Sequence, residues 1–238
     1  MPEYIPSMPF EDFYGSAADK TCFHMNGKCY IRRKPSPVFR NTEKQSQNAA
    51  LHRRALDAWR GLEHETQKEW NRLAAPVISH RPPFDGKGKI SGYNLFVSAY
   101  HGFAQLGDEH VPVPQPFVKF PPYSLEERPI ARVEGDDLSL RLRLYIAGCD
   151  IPSRYRLLTR IQLTEPGRGR DRGKMRNYLA LAPCAGLYSW TLFRIPDYRN
   201  VWKLDLQRYG FQCRYVLLDT VTGYRGFWQD YSSSFALE

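Results

Sequence analysis

Between positions 138 and 146 the chain places Leu138, Leu140, Leu142, Leu144 and Ile146 at every second residue, with Ser139, Arg141, Arg143 and Tyr145 between them. Successive side chains of an extended strand point to opposite faces, so this run forms a strand with one buried and one wet face. Wound as a helix, the same residues would put their apolar groups on two opposite sides instead of one face. Comparable runs occur at 155–163, 175–181, 187–195, 201–206, 211–218 and 224–235, with a short one at 130–133. They make seven or eight strands separated by turn residues.

Upstream of residue 111 the rhythm is different. Thr42 stands three residues before Gln45, the spacing of a capping box, and Leu51, Ala55, Ala58, Trp59 and Leu62 follow at helical intervals. A second, shorter helix carries Trp70, Leu73 and Ala74 inward and ends near Pro76. In a third, Ser91 caps the start, Tyr93, Phe96, Val97, Tyr100 and Phe103 form the apolar stripe, and Gly107 supplies the stop. The loop 81–89 between them is rich in proline and glycine and is expected to lack regular structure. Ahead of the helices, Asn26-Gly27 lies between two β-prone runs and predicts a hairpin with a two-residue type I′ turn. In that register His24 faces Cys29 and Cys22 faces Ile31.

These signals predict an α+β chain in four parts. Residues 1–19 form an extended arm, 20–110 a β-hairpin with a three-helix module, and 111–123 a proline-rich linker. Residues 124–238 form a β-sandwich of the immunoglobulin or fibronectin III kind.

Chemistry is less visible. No H-E-x-x-H, G-x-S-x-G or Rossmann glycine pattern occurs, and residues 167–174 have the wrong glycine spacing for a phosphate loop, with Met175 where Ser or Thr would hold magnesium. His24, His52, His64, His80, His101 and His110 fall on separate elements. Cys22, His24 and Cys29 share one side of the hairpin, but a structural zinc site takes four ligands and no fourth has suitable spacing. The reading is therefore of a non-enzyme with no catalytic residues, metal or cofactor. Five scattered cysteines, no apolar run of membrane length and no signal-like start point to a cytoplasmic or virion-associated protein with no membrane contact.

The net charge of +9 favours an acidic partner. The candidate nucleic-acid-binding residues are Arg32, Arg33, Lys34, Arg53, Arg54 and Arg60, with Arg168, Arg170 and Arg172 as a second patch in the loop 167–174. The pattern Trp59-x2-Leu62-x4-Gln67-x2-Trp70-x3-Ala74, with Arg81-Pro82-Pro83 and Ser91-Gly92-Tyr93-Asn94-Leu95-Phe96 after it, resembles an HMG box with its opening segment moved behind the tryptophan helices. Such a likeness implies sequence-tolerant DNA contact by the helical module.

Over nearly the whole chain, a series of marks resembles an uncharacterised family of bacterial and prophage-associated proteins. They are Gly27-Lys28-Cys29-Tyr30-Ile31-Arg32, Trp59-x2-Leu62, Gln67-x2-Trp70, Ser91-Gly92-Tyr93-Asn94-Leu95-Phe96-Val97 and Asp219-x2-Thr222-Gly223. That likeness implies a phage-related structural or assembly protein acting through a protein partner or self-association. Nucleic-acid binding is the alternative.

Overall fold

The computed structural model describes residues 15–17, 20–25, 28–34, 42–79, 88–108 and 110–237. It divides into two compact units, Met1–Gln47 and Asn48–Glu238. In the first, strands β1 (Gly15–Ala17), β2 (Lys20–Met25) and β3 (Lys28–Arg33) form one antiparallel sheet. Met25 pairs with Lys28, His24 with Cys29 and Cys22 with Ile31, the register a two-residue connection requires. The Asn26-Gly27 turn, the side chains of His24 and Cys29, and the rest of the arm 1–19 lie outside what is described. Phe23 and Tyr30 stack across the ribbon at 5.8 Å, and the Arg32 guanidinium lies 5.3 Å from the Phe23 centroid.

Helices α1 (Glu43–Arg60), α2 (His64–Ala74) and α3 (Gly92–Leu106) follow. At the start of α1 the Thr42 N–H donates to Gln45 Oε1 at 3.1 Å and the Gln45 N–H to Thr42 Oγ1 at 3.3 Å, closing the capping box. Ser91 Oγ accepts from the Asn94 N–H at 3.2 Å, and Gly107 ends α3 in the left-handed region. The helices share a core of Ala55, Trp70, Ala74, Leu95, Phe96, Ala99 and Tyr100, with Trp59 packed against it. Phe96 meets Trp59 at 5.4 Å and Trp70, edge to face, at 5.5 Å. Gly88 and Lys89, placed by sequence in an irregular loop, instead form a two-residue strand β5 paired with β4 (Ile78–Ser79). Residues 80–87 lie outside the described set.

The remaining strands are β6 (Tyr123–Glu134), β7 (Asp137–Ile146), β8 (Tyr155–Thr164), β9 (Arg176–Leu179), β10 (Tyr188–Ile195), β11 (Arg208–Asp219) and β12 (Gln229–Ala236). They form two antiparallel sheets, ordered β10-β7-β6 and β12-β11-β8-β9. Both sheets feed one core, in which Leu138, Leu140, Leu142, Leu144 and Ile146 of β7 meet Leu157, Ile161, Phe211, Cys213 and Leu217.

Two strand assignments need correction. The short run at 130–133 is the second half of the longer β6, which is interrupted between Glu126 and Ile130 by a bulge with Glu127 at positive φ. The run at 201–206 is not a strand. A short helix, α4 (Tyr198–Trp202), flanked by Asp197 and Lys203 in the left-handed region, occupies its start. Trp202, Leu204 and Leu206 still pack on the core, so the apolar pattern is satisfied without pairing.

Residues 110–122 contain no helix or strand, but the stretch is anchored. The Tyr224 hydroxyl donates to the Gln115 carbonyl at 2.8 Å, and the rings of Phe117 and Phe120 lie 5.6 Å from those of Tyr224 and Tyr155 respectively. In the loop after β11, a Cβ on Gly102 of α3 would fall 1.9 Å from the Gly223 carbonyl oxygen, so helix and loop approach backbone to backbone.

Candidate functional site

The outer face of the four-stranded sheet is built by alternation. Residues of β8 and β11 that point away from the core include Arg160, Gln162 and Thr164, and Gly210, Gln212 and Arg214, with Asp230, Ser232 and Ser234 from β12 beside them. The loop after β8 folds back over this face. Gln162 Oε1 accepts from the Asp171 N–H at 2.8 Å, while Thr164 Oγ1 and Gln212 Nε2 donate to the Arg168 carbonyl at 3.5 and 3.4 Å. These bonds explain why Gln162 and Thr164 are buried on an outward face.

Between loop and β12 lies an open groove of about 430 Å³, lined by Arg128, Gly167, Arg168, Gly169, Gly210, Gln212 and Ser232, Ser233 and Ser234. Arg128 comes from the bulge of β6. Arg208 reaches Ser234 Oγ at 3.5 Å.

Next to the groove, Arg170 and Arg214 share the Asp230 carboxylate. Arg214 Nε lies 2.9 Å from Asp230 Oδ1, close enough for an ion pair though misaligned for a hydrogen bond. Arg160 and Arg214 lie 4.6 and 5.8 Å from the Trp228 ring centroid. Arg160 Nε is buried without a partner, and burial, then the nearby Arg214 charge, draw the Arg160 pKa down. The face therefore concentrates Arg128, Arg160, Arg168, Arg170, Arg208 and Arg214 against the carboxylates of Asp230 and Glu165, the latter 3.5 Å from Arg168.

A second surface lies on the three-stranded sheet. Tyr145 and Tyr188, paired across β7 and β10, stack at 4.6 Å, and Arg143 lies 5.8 Å from the Tyr188 ring and 5.9 Å from that of Trp190. Glu127 pairs with Arg143. Tyr188 and Trp190 remain 58% and 43% exposed.

The sequence-derived cations fall in separate places. Arg168 lines the groove, Arg170 pairs with Asp230, and the side chain of Arg172 is outside the described ones. Arg32, Arg33 and Lys34 are exposed in the first unit, whereas Arg53, Arg54 and Arg60 are exposed along α1, Arg60 being 3.8 Å from Asp57. Sequence reasoning missed Arg128, Arg160, Arg208, Arg214 and the serines, which come together only through the pairing of β8, β11 and β12.

Among the described residues no three His, Cys, Asp or Glu side chains gather as metal ligands, and no helix is long and apolar enough to cross a membrane. Cys22, Cys149, Cys184 and Cys213 are free thiols, and burial pushes Cys184 up to about 12.

No protein-family model and no curated protein matches the chain. Among solved structures it is similar to AggA, the major subunit of aggregative adherence fimbriae type I of Escherichia coli. That match has 7% identity and a TM-score of 0.27, over 51% of this chain and 96% of that one. It is also similar to β-glucosidase 3B from Thermotoga neapolitana, at 11% identity and a TM-score of 0.25, over 57% of this chain and 19% of that one. At these scores neither likeness bears on what the chain does.

Proposed function

We propose that the chain is a non-catalytic structural or assembly protein, phage-related in origin, that binds a second copy of itself or another assembly subunit. In this reading the segment 124–238 serves as an immunoglobulin or fibronectin III-type sandwich that presents a surface. The observation that carries it is the cluster in which exposed Tyr188 and Trp190 pack with half-buried Tyr145 and Arg143. Trp, Tyr and Arg are the residues that dominate binding energy at protein interfaces, because each offers a large rigid contact with a polar edge. The resemblance to the prophage-associated family supports the same reading.

Sedimentation velocity tests it. The protein should self-associate, or co-sediment with an assembly partner, and Trp190→Ala should weaken that by about 2 kcal/mol, roughly 30-fold in Kd. A strict monomer with no partner, or association indifferent to Trp190→Ala and Tyr188→Ala, would overturn it.

A second reading is nucleic-acid contact, favoured by the exposed Arg53, Arg54 and Arg60 on α1 and by the likeness of the helical module to a permuted HMG box. Steep loss of DNA affinity with rising salt is its signature.

A further inference from the structure

The arginines of the four-stranded sheet fall outside both readings as they stand. Arg128 and Arg160 make no ion pair among the described residues, and Arg208 is bonded there only to a serine hydroxyl. Three guanidinium groups without a carboxylate, gathered where Asp230 already serves two others, form a surface of unmet positive charge. Exposed like charges are tolerated in water. Arg160 is another matter, because its Nε is sealed from solvent with no acceptor and it faces Arg214. An anion placed over the sheet would offset the repulsion between Arg160 and Arg214.

We infer that the groove between the loop 167–169 and β12 binds the phosphodiester backbone of a single-stranded nucleic acid. This rests on the nucleic-acid reading and moves its seat from the helices to the sheet. Three features select the ligand. The two cations that line the groove, Arg128 and Arg168, are both arginines, whose planar forks grip phosphate oxygens in pairs where lysine would act as a point charge. Gly167 and Gly169 have open space where a side chain would stand, so a polymer can lie against the backbone, and Ser232 and Ser234 offer hydroxyls along the opposite wall. The feature is recessed. A duplex is read by an element that protrudes into its grooves, whereas a recess admits one backbone at a time.

Fluorescence anisotropy on the full chain with a labelled, mixed-sequence single-stranded DNA of about 20 nucleotides, longer than the ~4–16 that an OB fold covers, reads the outcome. Affinity should fall as salt rises. Arg128→Gln combined with Arg168→Gln, both exposed positions, should weaken binding about tenfold. It should also make the log–log salt dependence shallower by about 1.4, or 0.7 per lost contact. The combination Arg53→Gln, Arg54→Gln, Arg60→Gln should change it less than about twofold. If the helix variant loses binding and the sheet variant does not, the sheet site is refuted while the nucleic-acid reading stands. Absence of binding by the unmodified protein at about 50 mM salt, where phosphate contacts are strong, removes both. Displacement of the DNA by polyglutamate of equal charge with equal potency refutes the choice of phosphodiester.

Discussion

Asp219 shows how a residue that marks a family resemblance can owe its place to structure. Its carboxylate accepts from Arg154 Nε at 3.0 Å and Nη2 at 2.6 Å, and from the backbone N–H of Val221 at 2.9 Å. Arg154 in turn offers its carbonyl to Thr220 N and Oγ1, at 2.9 and 2.8 Å. The Asp219-x2-Thr222-Gly223 signature is thus a locked turn that sets Gly223 against α3. Asp219→Ala leaves a partly buried guanidinium without its counter-ion and should cost about 3 kcal/mol in chemical denaturation, the lower end for a broken buried pair because Arg154 keeps some solvent contact.

His101 lies in the same neighbourhood, with its ring 5.8 Å from that of His52 and its Nε2 buried without a partner. Burial, then the charges of Arg225 and His52, hold its pKa below 6.5. The unfolded chain therefore takes up the proton first, and the stability present above about pH 6.5 is lost as pH falls through the lower folded value. Thermal melts between about pH 7.5 and 5 should show a decline that His101→Phe reduces. Equal slopes for both proteins would refute this.

At the scale of elements, the Ser-Gly-Tyr-Asn run that carries much of the family resemblance is a helix start. Ser91 caps α3. The Gly92 N–H donates to Asn71 Oδ1 at 3.0 Å, and a Cβ there would sit 2.5 Å from the Asn71 backbone nitrogen, so glycine is what lets α3 begin against α2. Ser91→Ala should cost about 1 kcal/mol by loss of the cap. Gly102→Ala should cost about 3 kcal/mol, because the clash is with backbone that cannot step aside. Equal, small losses for the two would mean that α3 does not dock on the Gly223 loop.

Elements were legible where one local rule sufficed. Capping pairs, Asn-Gly and strict alternation located α1, α3, the hairpin and β7. The run at 201–206 misled because its apolar residues reach the core from a helical turn and an irregular segment, which period alone does not separate from a strand.

At the scale of the molecule, the seven strands β6 to β12 enclose one core and leave two outward faces with different chemistry, one aromatic and one cationic. Neither face was readable from sequence. Arg160, Arg214 and Asp230 are far apart along the chain and become neighbours only through the register Arg160↔Arg214↔Asp230, which no single-strand pattern specifies. The loop 167–174 was legible as basic. Its return onto the sheet was not, because that depends on the Gln162, Thr164 and Gln212 side chains finding backbone partners in it.

The central claim is that the aromatic face of β10 and β7 is a contact surface, and photo-cross-linking tests it most directly. With Trp190→p-benzoylphenylalanine, irradiation at working concentration should give adducts that map to β10 or β7 of a second copy, or to one discrete assembly subunit. Adducts no more abundant than those from the same probe at Asp150 would contradict it.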